Sequence, residues 1–256
     1  MASPVAKAQW VLETRGVTGI PALALHSIAE REGIRFLYRS LPNDPKLSGE
    51  LIYKGNQKGI LINTHINSPQ RYAFTFAHEL GHYFLEHKPE YVQDGQTGFW
   101  CSVEDVSYGK RQKEQEANAF AVELLMPESR FRPSMTGAPF DFTLINGLAR
   151  DYRVSKQACG YRILEFTQNP CAIIHSENGR ITMLRASRAA RGSLHQMTHI
   201  PQDTAAYAAI QQKCGQTDFS ECDPAHWLAR YSPITRLSEC TRGKFENGVA
   251  MTLLRW

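Results

Sequence analysis

The chain has 256 residues, 42% apolar, 10% aromatic and 21% charged, with 29 basic and 25 acidic side chains giving a formal charge of +4. That length supports a sizeable core in one large domain or two small ones, with no need of disulfides or a structural metal to hold it. The small basic excess makes no electrostatic case for nucleic acid, no apolar run reaches the ~18 residues of a membrane span, and the first residues lack a secretory apolar core, so a cytoplasmic globular protein is expected.

In chain order, Ser3-Pro4 reads as an N-cap followed by proline at the first helical position, opening a short helix to about Arg15. A second helix is expected from about Pro21 to Glu32, stopped by Gly33, with Leu23, Ile28 and Ala29 facing inward. Ile34 to Ser40 is rich in β-branched and aromatic residues and reads as a strand. Segments 50–54 and 59–63 flank Gly55-Asn56 and read as a hairpin with a slightly long loop. From Ser68-Pro69 to about Glu86 the pattern is helical. Residues 88–112 are polar and turn-rich and read as a surface loop, and a further helix runs from Gln112 to Met126, ended by Pro127. The three prolines between 127 and 139 suggest a linker, followed by two short helices within 144–166. Asn178-Gly179 marks a hairpin between 171–175 and 181–184, residues 185–245 lack clear periodicity, and 249–256 reads as a closing strand.

The chemistry concentrates in the helix that carries His78-Glu79-x-x-His82. Histidines four residues apart on a helix differ by only about 40° of rotation, so His78 and His82 project together and can grip one Zn²⁺. Glu79 is rotated off that direction and is placed to act as a general base without binding the metal itself. With nine histidines in the chain, chance gives roughly 0.02 such motifs. The helix is apolar on nearly every side, which predicts burial, and a metal removes the cost of burying two imidazoles and a carboxylate. Gly81 costs about 1 kcal/mol relative to alanine in a helix interior, which close approach of a neighbouring segment would explain.

A catalytic zinc of this type takes a third protein ligand and keeps one position for water. On the helix from Gln112, Glu114 shares a stripe with Ala117, Asn118, Ala121 and Leu125, whereas Glu116 points about 200° away, so Glu114 is the expected third ligand and Glu116 the alternative. Asn118 is placed to accept the outer N–H of a ligating histidine.

These motifs, from Phe74 through His82-Tyr83, then Glu114-x-x-Ala117-Asn118-x-Phe120-Ala121 and Leu124-Leu125-Met126-Pro127, closely resemble the ImmA/IrrE family of zinc metallopeptidases. The similarity extends to Ile28-Ala29, Glu32-Gly33-Ile34, Ser48-Gly49 and Ile62-Asn63 upstream, and to Val154-Ser155, Arg162 and 169–172 downstream. The resemblance implies an α+β, gluzincin-like core in which His78, His82 and Glu114 bind Zn²⁺ and Glu79 is the catalytic base. It also implies an endopeptidase that cleaves a DNA-binding repressor, a helix-turn-helix protein, in a stress-response or mobile-element circuit. The competing class is a zinc-containing binding module that acts on a regulator without cleaving it; only the enzyme requires Glu79.

Three regions are expected: a metallopeptidase core over 1–128, a helix-turn-helix-like segment over 129–170, and a β-rich region over 171–256 for sensing or docking. Arg150, Arg153, Lys156 and Arg162 make the middle segment basic, but a structural or substrate-docking role is expected for it rather than direct nucleic-acid binding. The six cysteines form no Cys-x-x-Cys pair and are expected to be reduced. Cys214, Cys222, His226 and Cys240 fit no common zinc module, and His195 and His199 lack a base between them. The basic run from Arg180 to Arg191 reads as a solvated face, His65 and His87 as surface residues, and Tyr83 and Tyr108 as candidate donors to a transition state.

Overall fold

The computed structural model describes residues 3–65, 68–89, 91–93, 96–102, 111–213, 215–229, 233–244 and 248–256. The fold is α+β, with two five-stranded sheets and helices. Two compact units divide the chain: Met1–Ser134 with Gly147–Ser155, and Met135–Asn146 with Lys156–Trp256. Among the described residues no helix is long and apolar enough to cross a membrane.

In the first unit, α1 (Pro4–Thr14) starts where Ser3 Oγ accepts the Ala6 N–H at 3.2 Å. Helix α2 (Pro21–Arg31) buries Leu25, Ile28 and Ala29, a set spaced i, i+3, i+4. Leu23, expected on this face, is 58% exposed; five residues from Ile28, it lies about 140° round the helix. Strand β1 (Ile34–Arg39) runs parallel to β3 (Gln57–Asn63), which pairs antiparallel with β2 (Leu47–Lys54). Lys54 pairs with Gln57, so the turn has only Gly55 and Asn56, tighter than expected, with Gly55 at φ +56°.

The sheet continues where a loop was expected. Strands β4 (Tyr91–Gln93) and β5 (Gln96–Ser102) extend it to the order β1-β3-β2-β5-β4. The strand signal is short: Phe99 and Cys101, buried two residues apart on either side of Trp100 in the sequence, are flanked by polar residues and glycine, and pairing with β2 supplies the rest. Leu47 faces Ser102 while Gly49 faces Cys101, so Ser48 is the extra residue of a β-bulge.

Helix α3 (Pro69–Phe84) lies against β2 and β3 on one side and against α4 (Gln112–Leu125) on another. Where they meet, a Cβ on Gly81 would stand 3.1 Å from both Cα and O of Ala117, the close approach that calls for glycine. Helix α1 packs on the far side of α4, where Gln9 Nε2 donates to buried Glu123 at 2.9 Å. The two units divide after Ser134, within the stretch expected as a linker, but that stretch opens with α5 (Glu128–Phe131), whose Phe131 is fully buried and whose Arg130 guanidinium donates to the carbonyls of Val17, Thr18 and Gly19.

Helix α6 (Phe142–Asp151) is followed by α7 (Lys156–Phe166). The second sheet has the order β7-β6-β10-β9-β8, with β6 (Cys171–Glu177) and β7 (Arg180–Ala186) joined by Asn178 and Gly179 at φ +50° and +77°. The C-terminal strand β10 (Val249–Arg255) runs in its middle, between β6 and β9 (Leu237–Lys244). The weakly periodic 185–245 stretch contains β9, the short β8 (Ser220–Cys222) and α8 (Ala205–Gln212). Fully buried Trp227 ties them together: its Nε1 donates to Glu239 Oε2 at 2.8 Å, and Glu239 Oε1 accepts N–H groups from Ala205 and Ala206 at the start of α8. Helix α7 lies on β6, where a Cβ on Gly160 would come 2.6 Å from Ile173 Cδ1. Arg162 is buried in this helix and donates to Glu165 at 2.7 Å, so this basic residue is committed to the protein itself.

Candidate metal centre

Helix α3 projects His78 and His82 from successive turns, so that their Nε2 atoms lie 3.1 Å apart. Helix α4, held close by Gly81 and Ala117, brings Glu114 to them: its Oε2 is 3.1 Å from His78 Nε2 and 3.5 Å from His82 Nε2. A fourth donor comes from the sheet, Cys101 Sγ on β5, 3.7 Å from His82 Nε2. All four residues are buried and their donor atoms lie within 4.8 Å of one another; among the described residues this is the metal-capable group.

The spacings among His78, His82 and Glu114, and that from His82 to Cys101, suit a tetrahedral ion, while the group as a whole spans up to 4.8 Å, wider than a tetrahedral edge. Zn–N of about 2.0 Å and Zn–S of about 2.3 Å imply edges of about 3.3 Å between nitrogen or oxygen donors and about 3.5 Å between nitrogen and sulfur. Two imidazoles, a carboxylate and a thiol are also the donors that a borderline-soft ion such as zinc prefers.

Surrounding hydrogen bonds hold the imidazoles with Nε2 inward. His78 Nδ1–H donates to Asn118 Oδ1 at 2.9 Å. His82 Nδ1 meets His87 Nδ1 at 2.9 Å, and His87 Nε2–H donates to Glu116 Oε2 at 3.0 Å. His87, expected on the surface, is thus the middle of a relay, with its side chain 7% exposed. Glu116 closes that relay and is 34% exposed, against 1% for Glu114. The sequence signal for this role was Glu116 pointing away from the Glu114 stripe; the turn after α3 that folds His87 back beneath His82, with Glu86 at φ +54°, could not be read from periodicity.

Without a metal the cluster is electrostatically uneven. Burial pushes His82 down to about 4, and His78 adds to the effect. Burial also disfavours the His78 imidazolium, but the Glu114 and Glu79 carboxylates outweigh it and leave the pKa raised. For Glu114 burial is overcome by hydrogen bonds from both imidazoles, which hold it well below the usual carboxylate range.

Glu79 differs from all of these. It faces the sheet, fully buried, with the Cys101 thiol beside it and no hydrogen bond of good geometry to either carboxylate oxygen. Gly49 leaves room for it: a Cβ there would overlap Thr75 Cγ2 and stand 3.2 Å from Glu79 Oε1. Burial pushes the Glu79 carboxyl up to about 7, against the lowering influence of His78 and the Cys101 thiol.

The other sequence candidates lie elsewhere. Tyr83 O–H donates to Glu32 at 3.0 Å and accepts from Lys58 Nζ at 3.2 Å, a structural bridge; Tyr108 lies outside the described residues. His195 and His199 are not helical, and His65 is exposed. Cys222, His226 and Cys240 join no metal-capable group among the described residues, and Cys214 lies outside them. Cys101, Cys159, Cys171, Cys222 and Cys240 form no disulfide.

No match was found among curated protein sequences. Among solved structures, a Mycobacterium tuberculosis transcriptional regulator is similar in fold, with a TM-score of 0.59 and 16% identity over 98% of this chain and 76% of that one. The model of the IrrE N-terminal-like domain, peptidase family M78, matches residues 29–164, more than half of the chain. On that match, and with the buried cluster lying inside the matched span, the chain belongs to the IrrE N-terminal-like family of M78 peptidases.

Proposed function

We propose that this protein is a zinc-dependent endopeptidase that cleaves one regulatory protein, a DNA-binding helix-turn-helix repressor, and so controls a stress-response or mobile-element circuit. His78, His82 and Glu114 are the residues that hold the zinc. When bound, the ion supplies Lewis acidity toward a peptide carbonyl and an acidified water. Asn118 and the His87–Glu116 relay orient the two imidazoles and fix their tautomers. Glu79 takes the proton from the attacking water and returns it to the leaving amine nitrogen, a role suited to a carboxyl poised near neutrality.

One observation carries the reading. Glu79 is fully buried with no well-formed hydrogen bond to either oxygen and only the Cys101 thiol beside it, next to a cluster whose other members are satisfied. An uncompensated buried carboxylate costs several kcal/mol, which a scaffold has no reason to retain and a general base does. Family membership supports the peptidase class, and the weak basic excess agrees with a protein partner in place of nucleic acid.

The test pairs the zinc-loaded protein with a candidate repressor, wild type against Glu79→Gln. A specific cut made by wild type, absent with Glu79→Gln and blocked by a chelator is expected, with folding and zinc content unchanged in the variant. Equal biological effect of both forms in cells would refute proteolysis and favour a binding module.

A further inference from the structure

Zinc sites divide by their fourth position: catalytic sites leave it open to water or substrate, and structural sites fill it with a protein ligand. Here a fourth donor stands close by. Cys101 Sγ lies 3.7 Å from His82 Nε2, within a donor group spanning 4.8 Å that also contains His78 and Glu114.

Separate features of the sheet put the sulfur there. Paired residues on neighbouring strands point to the same face, so the Gly49–Cys101 pair sets Cys101 on the side where Gly49 meets Thr75 and Glu79. Phe99, two residues earlier on the same face, stacks on the His82 ring at 4.3 Å and 21°. The bulge at Ser48 shifts the register begun at Leu47–Ser102 and so brings Cys101, and not Trp100, opposite Gly49. Strand β5 is therefore built to present one soft ligand to the site, and a thiolate suits zinc at least as well as imidazole.

We propose that Cys101 is the fourth ligand that closes the metal site in the resting protein, so that the peptidase is latent while the sulfur is bound. The inference rests on the metallopeptidase reading above. Closure would be a ligand exchange without redox change: the thiol proton passes to solvent and the water in the fourth position leaves as sulfur binds, and when the sulfur departs it is reprotonated and water re-enters. While sulfur is bound, all four positions would be held by protein ligands, and wild type cuts only in the fraction of molecules from which the sulfur has dissociated, so its cleavage is slow but not absent.

Cobalt(II) serves as the probe because a bound thiolate gives it an intense near-ultraviolet charge-transfer band. Metal-free wild type, Cys101→Ser and Cys101→Ala are titrated with Co²⁺. All three should take up one ion per chain, and the band should be present in wild type and lost in both variants. Zinc-loaded Cys101→Ala should then cut the repressor used in the Glu79→Gln comparison several-fold faster than wild type. Indistinguishable spectra for wild type and Cys101→Ser would overturn the ligand assignment. A wild-type band with no gain in cleavage by Cys101→Ala would overturn latency and leave Cys101 a ligand that does not restrain the reaction. Failure of all three proteins to take up metal would instead strike at the metallopeptidase reading beneath the proposal.

Discussion

Alanine in place of glycine should have opposite effects at two helical positions of this chain. In a helix interior the exchange is favourable by about 1 kcal/mol when nothing else changes. Gly147 in α6 meets that condition, since a Cβ there finds no heavy atom of the described residues within 4 Å, and Gly147→Ala should stabilise the protein by about that amount. At Gly81 the added carbon would stand 3.1 Å from Ala117 Cα and O and 3.2 Å from Phe120 Cδ1, where comfortable carbon contacts begin near 3.5 Å. Two of those neighbours are backbone atoms of α4, so relief means separating the helices by about half an ångström. Overpacking of this kind costs about 1–3 kcal/mol, which cancels the propensity gain and leaves a loss of up to about 2 kcal/mol. His78 and Glu114 each lie one turn before the contact, so the same separation lengthens their 3.1 Å approach and lowers metal affinity. Denaturation of the metal-free variants, with Tm moving about 2–4 °C per kcal/mol in a chain of this size, and a competition titration with a chromophoric chelator would measure both effects. If Gly81→Ala stabilises as much as Gly147→Ala and binds metal normally, the helix crossing described here is wrong.

Glu114→Ala should abolish tight metal binding, whereas Glu116→Ala should retain one ion per chain, as metal analysis after dialysis would show; the reverse result would exchange their roles. Asn118→Ala removes the acceptor that orients His78 and should weaken metal binding about 10–100-fold with the fold intact, measured by chelator competition. In the second unit, burial raises the Glu239 carboxyl even though it accepts from Trp227 and the start of α8. A carboxyl raised on folding favours the native state below its ordinary value, and that contribution disappears as pH climbs through the raised one. Glu239→Gln should therefore flatten the fall in stability above the ordinary carboxylate range, as urea midpoints from pH 4 to 8 would show; parallel curves for variant and wild type would count against it.

Local rules made the α3 chemistry legible. The i, i+4 spacing of His78 and His82, the offset of Glu79, and the stripe joining Glu114 to Ala117 and Asn118 all follow from 3.6 residues per turn, so helical periodicity alone set which side chains could converge. The helix caps and the Asn178-Gly179 turn are likewise properties of a few adjacent residues. What stayed hidden depends on pairing between distant segments. Phe99 and Cys101 sit in a run too short and polar to declare a strand, and only hydrogen bonding to β2 with a bulge at Ser48 aims them at His82. His87 became part of the site because the chain reverses after α3, and Glu116 because His87 arrived beside it. Helical ligands are encoded by spacing within one segment, while strand-borne ligands are encoded by register between two, and register is decided only when the whole sheet assembles.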